Sequence, residues 1–406
     1  MAQLTQQLDA THRLPIRMEV LRETAALAEL RTDWLGLFDN AHNASAPLHP
    51  DWIASWWEQY GHVYGQGCEP LRLLCFRRGG QLVGVLPLYQ RRPLRMGDGG
   101  ERLCFIGTGE HEHEEVCPDY LDLLSLPDAT ASCTELAWSV LCGALGQSYD
   151  RLTLANMSDE SALVTWARKH AGQHNLEVVP CGACPIANLS GGLDAYLMRL
   201  SANTRQQARR LMRGAAKVGV AFEIAQSTDE AMMFLGEMIA LHQHRWRSAG
   251  EPGCFASERF TQFHTSLVRL WHPQGRVILS RLRLGAEVIS VKYGFRVGAK
   301  YDFYQSGIRL EQGSPIKSPG IVSFLLLMDY LSSQGVELFD FLRGSSNYKQ
   351  RLATSAQPLV EVRRVLWTWR TAVGVAADLG GRAVSKLGRT IVRRRGKMPV
   401  PELQEA

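Results

Sequence analysis

KYDFYQSGIRLEQGSPIKSPGIVSFLLLMDYLSSQGVELFDFLRGSSNYKQRL, residues 300–352, reads as strand, loop, helix, strand, loop. Lys300 to Gln305 is rich in aromatic residues, which suit a pleated, half-buried surface. Ser318-Pro319-Gly320 has the form of a helix start, with Ser at the N-cap and Pro at the first helical position, where its missing N–H costs nothing. The helix is expected to run to about Ser333. Ile321, Val322, Phe324 to Met328, Tyr330 and Leu331 cover nearly every face of it, so it should be buried, and Gly335 supplies a left-handed stop. A buried helix needs a sheet to lie on, and Val336 to Leu342 is the next strand. That strand runs into polar residues: Asp340, Arg343, Gly344, Ser345, Ser346, Asn347, Tyr348 and Lys349. Amides at the helix start form a donor-rich pole suited to an anion. The following strand brings Asp340 and Arg343 to the edge of the sheet where open α/β folds bind ligands. A crossover helix with solvated loops accounts for the same residues, and both readings stand at this point.

The chain has 406 residues, of which 45% are hydrophobic and 21% charged, and this length suggests two globular domains rather than one core. A net charge of +5 is modest and gives no reason to expect DNA as a partner. The first residues carry no apolar signal region, and no run reaches the about 18 apolar residues of a spanning helix, so a cytoplasmic chain is expected. Nine cysteines, an odd number, fit reduced thiols better than a disulfide framework. Cys181-Gly-Ala-Cys184 is a single CxxC without a second pair, and no metal is expected there.

A repeat organises the rest. LRLLCFRRGGQLVGVLPLY at 71–89 and RVILSRLRLGAEVISVKYGF at 276–295 share a hairpin pattern, the first turning at Gly79-Gly80. In both halves a strand, a helix and a strand ending in a polar loop follow. Asp51 to Tyr60 is helical and places Trp52, Trp56 and Trp57 on one face, most simply a core face. Asp194 to Lys217 is expected as one helix whose Arg205, Arg209, Arg213 and Lys217 make a basic stripe. That stripe suits an anionic acceptor, a tRNA backbone or plain solvent. In Glu110-His-Glu-His-Glu-Glu115 the histidines alternate onto one side of an extended chain, but no closing metal ligand is identifiable. A solvated acidic loop, or one that attracts an amine acceptor, is the simpler reading.

The SPG before the buried helix, the DFLRG ending of the next strand and the YK after it resemble the CelD/BcsL-type group of the GNAT (Gcn5-related N-acetyltransferase) superfamily. ALHQHRW at 240–246 and LSANTRQQARRLMRGAAKVG at 200–219 extend the resemblance. It implies an α/β fold of two tandem GNAT-like modules, similar to the Fem-type aminoacyltransferases, each a mixed, largely antiparallel sheet flanked by helices. Residues 18–190 would form the first module, 191–362 the second with the expected active site, and 363–406 a basic amphipathic helix and tail. The implied activity moves an acyl group from acyl-CoA, a cosubstrate rather than a bound cofactor, to a sugar or envelope-precursor acceptor in exopolysaccharide or cell-envelope synthesis. By the same resemblance Lys317, Ser318, Gly320 and Gln305 bind the donor. Tyr348 protonates the departing thiolate, for which a phenol of pKa about 10 is suited, and Lys349 stabilises a developing oxyanion. Asp340 orients or deprotonates the acceptor. His242, Arg245, Trp246, Arg343, Arg205 and Arg209 are the expected acceptor-binding residues. The usual Q/R-x-x-G-x-G/A loop is not present and Pro319 removes one amide donor, which leaves two alternatives: an aminoacyl-tRNA donor, or an inert scaffold of a polysaccharide-synthesis complex.

Val365 to Lys397 holds eight basic residues and Asp378 as its one acid, with Trp367 and Trp369 at one end. It reads as a basic amphipathic helix suited to an anionic membrane surface, a partner or a domain cap. At roughly 1 kcal/mol per basic residue near an anionic surface, membrane binding would be useful but reversible. Full-length protein is expected to co-sediment with anionic liposomes at low salt, and a chain ending at Leu366 to remain in the supernatant. Equal sedimentation of the two would make the segment a cap.

Overall fold

The computed structural model describes residues 14–65, 67–93, 100–309, 315–344 and 346–366. The basic helix expected from residue 365 onward lies outside these, apart from Val365 and Leu366, and Val365 closes a strand instead. The chain divides into two compact units. One holds the described residues up to Gly109, Tyr120–Cys181 and those from Val360; the other holds Glu110–Asp119 and Gly182–Leu359.

In the first unit the strands are β1 (Ile16–Leu21), β2 (Leu71–Arg78), β3 (Gln81–Arg91), β4 (Arg102–Phe105), β5 (Leu124–Ser125) and β6 (Arg151–Ser158). They lie in the order β1-β2-β3-β4-β6, with β5 on β3. All pair antiparallel except β4 with β6, which are parallel. The helix Thr130–Cys142 lies in the crossover that a parallel pair requires. Gly79 and Gly80, both at positive φ, form the two-residue turn that pairs Arg78 with Gln81, a conformation that costs glycine little. Trp52 and Trp56 are buried as expected, while Trp57 is half-buried and starts a π-helical turn, Trp57–Gly61.

The second unit repeats this plan. Its strands are β7 (Leu176–Asn188), β8 (Val220–Ile224), β9 (Val277–Leu284), β10 (Glu287–Val297), β11 (Lys300–Ile308) and β12 (Leu338–Asp340), in the order β7-β12-β11-β10-β9-β8. β11 and β12 are the parallel pair, and all other neighbours are antiparallel. The chain passes between the units within β7 and again within the last strand, β13 (Ser355–Val365).

The helix Pro319–Ser333 is the crossover between β11 and β12. Val322, Phe324, Leu325, Leu327, Met328 and Leu331 are all at most 1% exposed. Each such side chain contributes about 1.5–3 kcal/mol by leaving water. It ends as Gly335 was expected to end it: the amides of Gly335 and Val336 bond back to the carbonyls of Ser332 and Leu331 at 3.1 and 3.0 Å.

Three local expectations are corrected. Ser318 has left-handed φ and ψ of 50° and 59°, and its side chain caps nothing. Pro319 keeps the preceding residue out of the right-handed helical region, so only the Ser318 carbonyl serves the helix, accepting from Ile321 and Val322. The strand expected over 336–342 is only Leu338–Asp340, because Leu342 has a φ of 53°. The single helix expected over 194–217 is two, Gly192–Arg199 and Ala202–Val218, since the Ser201 hydroxyl accepts from the Thr204 amide at 3.3 Å and starts a new one. No helix among the described residues is long and apolar enough to cross a membrane.

Gly307 of β11 faces the helix Thr228–Ser248 so closely that a Cβ there would lie 2.5 Å from the Met238 carbonyl oxygen. Gly307→Ala is therefore expected to cost about 1–3 kcal/mol, as overpacking does. It should lower the midpoint of urea unfolding followed by tryptophan fluorescence; an unchanged midpoint would refute so close a seating of this helix.

Candidate active site

The parallel ladder between β11 and β12 has three rungs: Lys300 with Leu338, Tyr301 with Phe339, Asp302 with Asp340. Beyond the last rung β11 continues to Ile308 against β10, while the other chain turns away at Leu342. A cavity of about 470 Å³ lies where the two strands part. Tyr304 and Gln305 border it from β11, and Phe341, Leu342 and Arg343 from the turn. His242 and Trp246 reach it from the helix Thr228–Ser248, Glu251–Cys254 from the following loop, and Glu112, His113, Glu115, Cys117 and Asp119 from the segment that joins this unit early.

The turn is held from both ends. The Leu342 amide donates to Asp340 Oδ1 at 2.7 Å, which fixes the left-handed residue. Lys349 Nζ donates to the carbonyls of Phe341, Leu342 and Arg343 at 2.8, 3.3 and 3.0 Å. Gly344 leaves room for this ammonium, since a Cβ there would lie 2.8 Å from Nζ. The Arg343 amide donates to Asp119 Oδ2 at 2.8 Å, and Arg343 Nε lies 3.6 Å from Asp119 Oδ1.

Asp340 is fully buried below the cavity rather than on its wall, with Oδ2 at 2.9 Å from Lys300 Nζ. The same ammonium is 2.9 Å from Asp302 Oδ1. Tyr348 is buried, its ring stacked on Phe324 with centroids 5.3 Å apart. It borders a different cavity of about 280 Å³, together with Ser318, Asn347, Arg351 and residues of the helix Ala202–Val218. Neighbouring residues of one short helix, Tyr348 and Lys349, thus face different cavities. Gln305 borders the first, and its Oε1 accepts from the Ser306 amide at 3.0 Å. Lys317 is exposed and, with Gly320, borders neither cavity. Arg205 donates to the carbonyls of Met198 and Leu200, tying off the preceding helix, and Arg209 is exposed. His242 and Trp246, four apart, share the cavity-facing side, and Arg245 is not on it. Burial holds His242 below the ordinary imidazole range, against the hydrogen bond it donates to Gln243 and with a smaller contribution from the nearby Arg245 charge. Among the described residues no group of His, Cys, Asp and Glu is arranged to hold a metal ion.

Sequence reasoning passed over Asp119, Lys300, Asp302, Gln243 and Cys254. Lys300 and Asp302 alternate along a strand toward one face, a readable signal. Asp119 joins the site through a contact 224 residues distant in sequence, which no local pattern announces.

Residues 202–350 match the family model described as acetyltransferase (GNAT) domain, which supports an acyltransferase. No curated protein sequence matches the chain. Among solved structures it is similar to FemX at 11% identity and a TM-score of 0.56, over 83% of this chain and 96% of that one. It is also similar to a C-terminal domain from Agrobacterium fabrum described as belonging to a lysylphosphatidylglycerol synthetase, at 10% identity and a TM-score of 0.51, over 87% and 96%. A conserved protein from Bacteroides thetaiotaomicron aligns at 8% identity and a TM-score of 0.52, over 86% and 100%. At these identities the likeness is one of fold, a mixed α/β architecture of sheets flanked by helices.

Burial, only partly offset by Lys300 and reinforced by Asp340, pushes the Asp302 carboxyl up to about 6. Its unfolded value is near the ordinary carboxylate value of about 3.9. A raised folded value means that Asp302 contributes stability fully below about pH 4 and loses it as pH rises through about 6. The stability of the unsubstituted protein relative to Asp302→Asn is therefore expected to fall by about 1 to 3 kcal/mol between pH 4 and pH 7. Urea titrations across that range check this, and a difference that is flat or grows with pH would contradict it.

Proposed function

We propose that the chain moves an acyl group from acyl-CoA to an amine on an exopolysaccharide or cell-envelope precursor, as a GNAT-type enzyme of the CelD/BcsL group. The observation that carries this reading is the cavity at the parting of β11 and β12, in a unit containing the residues that match an acetyltransferase domain. Four carboxylates border it, Glu112, Glu115, Asp119 and Glu251, and with Asp119 paired to Arg343 the other three set its charge. Its two cations are engaged, Arg343 with Asp119 and Lys349 with three carbonyls. The resulting field favours a positively charged guest, which suits an acceptor that arrives as an ammonium ion. The smaller cavity, at the start of the helix Pro319–Ser333, is the proposed donor side. Its Arg351 offers a guanidinium to a phosphate, and Tyr348 presents a ring fixed by Phe324.

A second reading has an aminoacyl-tRNA as donor. Arg209, Arg210, Arg213 and Lys217 are exposed along the helix Ala202–Val218, a spacing that suits a phosphate backbone, and Pro319 withholds one amide from the helix start.

Calorimetry with acetyl-CoA tests the first reading. Binding is expected, and Arg351→Ala should weaken it about tenfold, the loss of one charge-assisted contact worth roughly 1.4 kcal/mol. No heat with any acyl-CoA would favour the tRNA donor, and no transfer from either donor would leave a scaffold.

A further inference from the structure

Cys254 and His242 border the acceptor cavity, and the reading above gives the thiol no part in the reaction. Gln243 sets their chemistry. Its Nε2 donates to the Pro252 carbonyl at 2.9 Å, which leaves Oε1 facing His242 Nδ1 at 3.1 Å. An amide oxygen there requires Nδ1 to carry the imidazole proton, so the lone pair is on Nε2. That nitrogen lies 3.9 Å from Cys254 Sγ. On another side Gln305 Nε2 lies 3.9 Å from the same sulfur. The loop fits closely: Gly253 has a φ of 71°, and a Cβ there would be 2.3 Å from Gln243 Oε1. Nucleophile, base and the group that orients the base thus stand in line at the edge of a cavity, the arrangement by which a weak nucleophile is activated.

We propose that Cys254 carries the acyl group as a thioester between donor and acceptor, with His242 as its base and Gln243 as the residue that positions His242. This rests on the acyl-transfer reading. Sγ attacks the acyl carbonyl of the CoA thioester while His242 Nε2 takes the thiol proton. The tetrahedral adduct breaks its bond to the CoA sulfur, which leaves as thiolate and recovers that proton as CoA thiol. The acceptor amine, as free base, then attacks the Cys254 thioester. The carbon–sulfur bond breaks, and the proton lost by the nitrogen returns through His242 to Sγ. The sum is acyl-CoA and amine giving amide and CoA thiol, with no oxidant or reductant. Burial pushes the Cys254 thiol up to about 12, so the resting sulfur is protonated and the step needs the base that stands beside it.

The test mixes full-length protein with p-nitrophenyl acetate, an acyl donor that needs no CoA site, and follows p-nitrophenolate release and the mass of the protein. A burst of about one equivalent per chain is expected, with a hydroxylamine-labile acetyl group on the peptide containing Cys254. Cys254→Ala should abolish the burst. His242→Gln should slow it about tenfold or more and flatten its rise with pH, which a thiol used only for packing would not do. An acetyl group on Cys117, which borders the same cavity, or an equal burst in the alanine variant would overturn the proposal. A second arm uses acetyl-CoA. If the alanine variant binds it and transfers acetyl at the unsubstituted rate, the acyl-transfer reading stands and the thioester falls. If the unsubstituted protein neither binds acetyl-CoA nor is acetylated, both fall.

Discussion

One ammonium between two carboxylates fixes the centre of the second unit. Asp302 and Asp340 are opposite each other on the last rung of a parallel pair, and Lys300 is two residues back on the same strand face. Its Nζ reaches both at 2.9 Å. Taking three charges out of water costs several kcal/mol each, and the attraction of each carboxylate to the one ammonium offsets this only in part, since the two acids repel each other. Such a cluster is weak evidence for added stability. It is strong evidence for a fixed arrangement, because without the Lys300 ammonium two carboxylates would face each other in the interior.

What the cluster fixes is a branching point. Two strands that ran together must separate, and the separation has to be built. Asp340 uses its second oxygen to hold the amide of the left-handed Leu342, and Lys349 closes the same turn by gathering three of its carbonyls. The DFLRG and YK motifs thus read physically as one device, the two clamps of a turn that presents Leu342 and Arg343 to a cavity. Asp340 and Lys349 hold this turn, while His242, Cys254 and Asp119 reach the same cavity from other segments.

This division explains what was legible beforehand. The crossover helix was readable because nearly every face of Pro319–Ser333 is apolar, and its end because Gly335 stands where a left-handed residue must. Hairpins were readable from Gly79-Gly80 and from matched alternation in the two halves. Asp340 and Lys349 were readable as members of a motif, but a motif does not say which way a side chain turns: one faces a buried ammonium and the other its own backbone. The break at Ser201 is hidden in the sequence because helical periodicity resumes after it. Gln243 and Cys254 drew no attention because neither has a local pattern; their order depends on how the loop at Gly253 folds back on the helix.

Residues Glu110–Asp119 interrupt the first unit's stretch of chain and belong to the second. Glu114 fastens them there, accepting from the Ser257 hydroxyl at 2.8 Å and from Arg259 at 3.1 Å, and Asp119 holds Arg343. The two halves are therefore not interchangeable cassettes. A duplicated ancestor could supply each sheet separately, but a second half inherited alone would lack one wall of its own cavity and three of the acids around it. The lining of this cavity is thus encoded in part within the first third of the chain, and an exchange of halves between relatives at the middle of the gene would separate that wall from the rest of it.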